Sequence, residues 1–369
     1  MKAMKDYLSL VPGPTQVHED VLKAQSRQIL THMNEAWTPY YLSVCDKMKL
    51  CLGASGDVYL ATCSGSGAVE AAVTSTVAPG EKLLVLSNGL FGDRFGVIAD
   101  HFHLEKEVMR YANNQVLKPE DLRARLSRGK GNIAAVSAVY SESQNGMLNP
   151  VKELAAICNE FDVPILVDTV SASGGVPYNA DAWGVDVTIA SMQKCLGGTA
   201  GTAAIAVADK YWHYVENKDT LGYYHSLKFW RENMHMENPV HPHPFTMSES
   251  LIFGTDAACD LILEEGLENR WKRHREVFEY YVEALGKLGF HLYLPYDCAC
   301  PTCISFAPHE KISVPDMLLR LKEEHGILVG NGIADQKNKI WRIGNMAEQA
   351  RMEKAEKLVA AMRQILDTL

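Results

Sequence analysis

Residues 163–198, VPILVDTVSASGGVPYNADAWGVDVTIASMQKCLGG, carry the features on which the reading of the whole chain turns. Two short apolar runs, Val163–Val170 and Val185–Ala190, are rich in β-branched residues and bounded by turn formers. Runs of that length without polar alternation are the pattern of strands buried on both faces. Outward from them the same kind of run recurs at Asp57–Thr62 (DVYLAT), Lys82–Ser87 (KLLVLS) and Ile133–Tyr140. Helix-like stretches follow these runs at Ala68–Val77, around Asp93–His101 and at Val151–Phe161. Strand and helix in alternation predict an α/β fold with a mainly parallel sheet covered on both faces. After about Asp209 the pattern changes. Residues 211–248 are rich in aromatics, His and Pro and read as an irregular excursion. A long helical pattern then begins near Glu249 and runs on through Glu268–Leu288. The tail, 301–369, mixes short strands with helices at Pro315–Glu324 and Glu348–Leu366, as expected of a smaller α+β domain.

Composition narrows the function classes. The 369 residues include 36 Lys plus Arg against 45 Asp plus Glu, a net charge of −9. That balance speaks against a nucleic-acid binder, which normally carries a basic stripe. No apolar run approaches the roughly 20 residues that span a bilayer, so no membrane partner is expected. Met1–Ser9 is mixed and charged, without the apolar core of a signal peptide. Asp367-Thr368-Leu369 is not a peroxisomal address. Nine cysteines, scattered and odd in number, suit reduced thiols and a cytoplasmic protein.

Three segments carry chemistry. Thr62-Cys63-Ser64-Gly65-Ser66-Gly67 lies between a strand and a helix, where small residues let backbone N–H groups approach a phosphate. A dinucleotide fingerprint would need a glycine where Glu70 stands and an acid where Ser87-Asn88 sits. A monophosphate fits better than NAD, and a ligand-free tight turn is the alternative. Asp168 closes an apolar strand, a costly place for a carboxylate unless something pairs with it. It either holds a ring nitrogen in its protonated state or caps the next turn through Ser171 or Ser173. Lys194 follows a buried strand and precedes Gly197-Gly198. Desolvation there makes a neutral, nucleophilic amine; a loop lysine reaching water is the other reading.

A phosphate loop, a strand-end aspartate and a desolvated lysine, in that order, are the parts of a pyridoxal-phosphate site. The stretches SGSGAVEAA (64–72), SNGLFGDR (87–94), SESQNGMLNP (141–150), LVDTVSASGG (166–175), SMQKCLGG (191–198) and EEGLENRW (264–271) resemble the class V aminotransferases of fold type I. The likeness is to the alanine–glyoxylate, serine–glyoxylate and serine–pyruvate branch and runs from Pro12-Gly13-Pro14 to Trp341–Asn345. It implies pyridoxal 5'-phosphate held by Lys194 as a Schiff base, with Lys194 then shuttling the proton, and Asp168 at the ring nitrogen. It implies Val170 and Phe91 on the two ring faces, and Ser64, Gly65, Ser66 and Gln193 at the phosphate. Ser143 matches the position near the ring hydroxyl and substrate. Arg342 matches the clamp on the substrate carboxylate, which its planar fork suits. Gly13 belongs to the amino-terminal segment that shapes the substrate pocket. Thr246 would reach the phosphate of the neighbouring subunit, so a homodimer with shared active sites is implied. His243 stands where many relatives carry a tyrosine, and is the residue expected to add a phosphate donor there. The implied division is an amino-terminal segment 1–20, a large cofactor-binding domain 21–255 and a small α+β domain 256–369.

The implied reaction is a ping-pong transamination from a small amino acid, alanine or serine, to a 2-oxo acid, glyoxylate or pyruvate. Arg342–Asn345 also resembles the 2-aminoethylphosphonate–pyruvate subfamily, and ureidoglycine is a further alternative donor. A cysteine desulfurase or related lyase on the same fold usually has His before the Schiff-base lysine, where this chain has Gln193. A relative that binds the cofactor without turnover has no need of both Lys194 and Asp168. Cys298, Cys300 and Cys303 make a CxCxxC pattern but lack a fourth ligand at a sensible spacing, and fall where the family has a small-domain strand. His241 and His243, flanked by prolines, read as structural or phosphate-proximal, and Trp271–Arg275 as the polar face of a helix. No metal is expected.

Overall fold

A computed structural model describes residues 6–237 and 241–369. The first five residues of the Met1–Ser9 stretch, and residues 238–240 of the 211–248 excursion, lie outside the described residues. Strand β1 (Leu8–Leu10) belongs to a small sheet. Strands β2 (Asp57–Ala61), β3 (Lys82–Ser87), β4 (Glu105–Arg110) and β5 (Ile133–Val139) enter the large one. A two-stranded hairpin, β6 (Ser141–Glu142) and β7 (Met147–Leu148), follows. β8 (Ile165–Asp168), β9 (Val187–Ser191) and β10 (Ala203–Val207) complete the large sheet, in the order β2-β10-β9-β8-β5-β3-β4. Only β10 runs antiparallel to its neighbours. β11 (Cys303–Phe306), β12 (Ile327–Asn331) and β13 (Trp341–Gly344) join β1 in the small sheet, order β1-β12-β13-β11.

The apolar runs are continuous because each strand feeds two cores. In β3, Leu83 and Val85 pack into one cluster while Leu84 and Leu86 pack into another. In β8, Leu166 faces the first and Ile165 and Val167 the second. Alternate side chains leave opposite faces of a strand, so burial on both sides demands apolar residues throughout. A third cluster, including Leu10, Phe278, Phe306 and Trp341, lies on the small sheet.

Several expectations change. The long helical pattern is two helices, Glu249–Glu265 and Leu267–Gly286, broken at Gly266, whose φ of 78° leaves the helical region. The 211–248 excursion contains two short helices, Tyr211–Val215 and Leu227–Met234. Two strands lie outside the apolar runs read above: β4 is a charged edge strand, and β10 is a short, buried, alanine-rich run, AAIAV. Of the three clustered cysteines only Cys303 lies in a strand; Cys298 ends a short 3-10 turn and Cys300 lies in the loop after it.

Candidate active site

The carboxyl ends of the parallel strands open into one cleft, the usual ligand position in such sheets. β2 delivers Ser64–Ser66, β3 delivers Phe91, β8 delivers Asp168 and β9 delivers Gln193 and Lys194, and all of these line the cleft. Ser64 is the N-cap of the helix Gly65–Thr76, yet its side chain makes no capping bond. The first-turn N–H groups of that helix are therefore left for a ligand, an anion by preference. Gly65 is required by packing, since a Cβ there would stand 2.9 Å from Val170 Cγ2.

Asp168 is 7 % exposed and accepts one hydrogen bond, from the Val170 N–H at 2.8 Å. Burial pushes its carboxyl up to about 6, against the Val170 bond and the charges of Arg94 and Lys194. A cation docked at its other oxygen would restore the ionised form. Lys194 donates to the Pro12 carbonyl, and burial lowers its pKa below the ordinary lysine value. The amino-terminal segment closes over this side chain. A Cβ on Gly13 would lie 2.5 Å from Lys194 Cδ, and the Thr15 N–H donates to the Gln193 carbonyl at 3.0 Å.

The loop that carries Lys194 is tied from behind. Arg270 is buried and donates to the carbonyls of Cys195 (2.8 Å) and Gly174 (3.0 Å) and to Glu265 (2.8 Å). Glu265 also receives Arg273; although burial raises its pKa, the two arginines pull it down to about 2. The EEGLENRW stretch thus holds the lysine loop through Arg270 and does not touch the cleft.

Gln193 accepts from Ser191 Oγ at 2.6 Å, which leaves its amide N–H groups toward the cleft without a protein partner among the described residues. Ser143 does not line the cleft; Ser141 does. The Ser143 carbonyl instead receives Arg342 Nη1 at 2.5 Å, while Arg342 Nε and Nη2 donate to the Asn331 carbonyl at 2.9 and 2.7 Å. Three of five guanidinium N–H groups are used and two remain. Thr246 is exposed and does not line the cleft of its own protomer. His243 departs from the expected phosphate donor. Its ring is buried, Nε2 accepts from Trp37 Nε1 at 2.8 Å and Nδ1 donates to the Phe245 carbonyl at 2.6 Å. Both nitrogens are spent inside the protomer, and burial lowers its pKa to about 4, so the ring is neutral with no donor left over.

Two side chains without a role in the sequence reading stand out. Arg94 lines the cleft beside Phe91. Glu142, fully buried, accepts from the N–H groups of Phe91 (2.9 Å), Gly92 (3.0 Å) and Gln144 (3.0 Å). Burial pushes Glu142 up to about 7. Both lie in stretches singled out above, SNGLFGDR and SESQNGMLNP, so motif membership was their only signal.

The model of the aminotransferase class-V family matches residues 18–341. The chain belongs to the class V aminotransferases. An uncharacterised aminotransferase of Methanocaldococcus jannaschii is 30% identical over 92% of this chain and 87% of its own length. A 2-aminoethylphosphonate–pyruvate transaminase of Phocaeicola vulgatus is 28% identical over 94% and 95%. The crystal structure of an alanine–glyoxylate aminotransferase from Nostoc sp. superposes with a TM-score of 0.93 at 27% identity, covering 99% of this chain and 97% of that one. The protein is thus a transaminase of fold type I that depends on pyridoxal phosphate. The cleft of this class V aminotransferase fits that cofactor: an uncapped helix start for the phosphate, a buried carboxylate short of a cation, and a desolvated lysine between them.

Proposed function

We propose that this aminotransferase moves nitrogen from a small amino acid, alanine or serine, to glyoxylate or pyruvate in two half-reactions. The observation that carries the assignment of roles is the pairing of Asp168 and Lys194 at the ends of adjacent buried strands in one cleft. The bound cofactor supplies the aldehyde for covalent capture and a ring that accepts electrons. Lys194, whose burial lowers its pKa and so favours the free amine, would be the residue that holds it and the base that moves the proton at the substrate Cα. Asp168 would keep the ring nitrogen protonated, with Val170 and Phe91 on either side of the ring. Ser64, Gly65, Ser66 and Gln193 would hold the phosphate. Arg342 offers its two unused N–H groups to the substrate carboxylate. Gly13 supports the preference for small substrates, because the amino-terminal turn lies directly against Lys194.

The working unit in this reading is a homodimer in which Thr246 reaches the partner's phosphate. Met33 (70 % exposed) and Tyr223 (72 % exposed) flank the 241–246 loop, through the His32–His241 and Tyr223–Phe245 ring contacts, and supply an apolar rim for a second copy. All nine cysteines are free thiols, which supports a cytoplasmic location. The test is an absorbance titration of the holoenzyme. Alanine or serine bleaches the visible band and glyoxylate or pyruvate restores it. A band that responds to neither donor refutes the substrate assignment.

A further inference from the structure

The cleft contains a guanidinium, Arg94, whose charge reaches Asp168 but which has no carboxylate at ion-pair distance among the described residues. Arg94, on the helix Leu90–His101, is half-buried and donates Nη1 to Ser66 Oγ at 2.8 Å. Its guanidinium carbon stands 4.6 Å from the centre of the Phe91 ring. Among the described residues no carboxylate lies within ion-pair distance of it. The adjacent Asp93 is taken by Arg110 at 2.8 Å and by Ser87 Oγ at 2.5 Å. A partly buried guanidinium with one neutral partner is poorly compensated until an anion arrives.

Charge arithmetic says which anion. A phosphate monoester carries about −1.5 to −2 at neutral pH. The helix start at Gly65 supplies the equivalent of about +0.5. About 1 to 1.5 units of charge are left over, and the remaining charged side chains lining the cleft, Asp168 and Lys194, are committed to the ring nitrogen and the aldehyde. We propose that Arg94, anchored on Ser66, is the cation that neutralises the cofactor's phosphate. The inference rests on the placement of that phosphate at Ser64–Ser66. The contact with Phe91 and the bond to Ser66 hold the guanidinium in the cleft before the phosphate binds, so little side-chain entropy is lost.

The experiment compares two ligands that differ only in the phosphate. Dissociation constants for pyridoxal phosphate and for pyridoxal are measured on the cofactor-free full chain, wild type, Arg94→Gln and Arg94→Lys, by fluorescence titration. Arg94→Gln should weaken pyridoxal phosphate by about 10- to 100-fold, as expected for a charged hydrogen bond lost. Pyridoxal should change little, and Arg94→Lys should recover part of the loss. Inorganic phosphate should compete with the cofactor on wild type and far less on Arg94→Gln. Equal weakening of both ligands would make Arg94 a mere wall for Phe91 and overturn the proposal, as would unchanged binding of both. A rise only in KM for the 2-oxo acid would reassign Arg94 to the substrate. If wild type itself binds pyridoxal as tightly as pyridoxal phosphate, the Ser64–Ser66 loop holds no phosphate and the inference falls with it.

Discussion

Asp168 accepts a single N–H bond at the closed end of an apolar strand, and burial pushes its carboxyl up to about 6. A raised acid pKa means the folded chain binds that proton more tightly than the unfolded chain does. The stability cost is therefore absent below about 4, grows as pH rises, and is complete above about 6. Asp168→Asn should accordingly stabilise the cofactor-free protein at neutral pH by up to about 3 kcal/mol, read by denaturant titration. The same change should abolish most turnover, since an amide cannot hold a ring nitrogen protonated; stability is traded for function. In the wild type, cofactor affinity should fall as pH drops through about 6, and Asp168→Asn should lose that dependence. Asp168 and Lys194 were legible as candidates from sequence because each is a charge out of place: Asp168 closes an apolar run, and Lys194 stands between a buried strand and a Gly-Gly turn. Arg94 and Glu142 were not, because their meaning lies in what meets them from other elements. Glu142 takes N–H groups from a turn some 50 positions earlier, and no spacing rule connects them.

Two elements set the cleft's walls. The helix Gly65–Thr76 begins without a side-chain cap, and the helix Leu90–His101 begins on a buried carboxylate. A Cβ on Gly89 would stand 2.5 Å from Glu142 Cγ, so that residue's glycine is dictated by the close approach of the acid. All three of Glu142's bonds are accepted from N–H donors. Glu142→Gln places an amide N–H against one of them. It should destabilise the protein by about 1–3 kcal/mol, and should weaken cofactor binding through a displaced Phe91. A denaturation midpoint and a cofactor titration read the two effects separately; unchanged values in both would remove Glu142 from the support of the ring platform. The helix starts at 65 and 90 were read late from sequence, at 68 and 93, because their first turns are glycine-rich and show no apolar rhythm. The break at Gly266 was missed for the opposite reason: the amphipathic pattern continues across it.

Across the whole molecule the residues proposed for the site come from both sheets. Arg342, on β13 of the small sheet, donates to Ser143 beyond the end of β5 of the large one, and to Asn331 of β12. The amino-terminal strand β1 also lies in the small sheet, and the chain then passes over Lys194 through Gly13. Arg342→Ala should raise KM for carboxylate substrates by about 10-fold or more while cofactor affinity stays nearly constant, as steady-state kinetics and a cofactor titration would show. An equal loss of both would take Arg342 out of the substrate site. The alternation of strand and helix made the class of fold readable. The strand order and the antiparallel β10 were not, since pairing depends on contacts between distant runs of similar composition.

Lys194 is the residue proposed to bind the cofactor covalently. Holoenzyme reduced with borohydride, digested and analysed by mass spectrometry tests that assignment directly. A pyridoxyl adduct is expected on the peptide containing Lys194, with none in Lys194→Ala. An adduct on a different lysine, or the same adduct yield in Lys194→Ala, would contradict it.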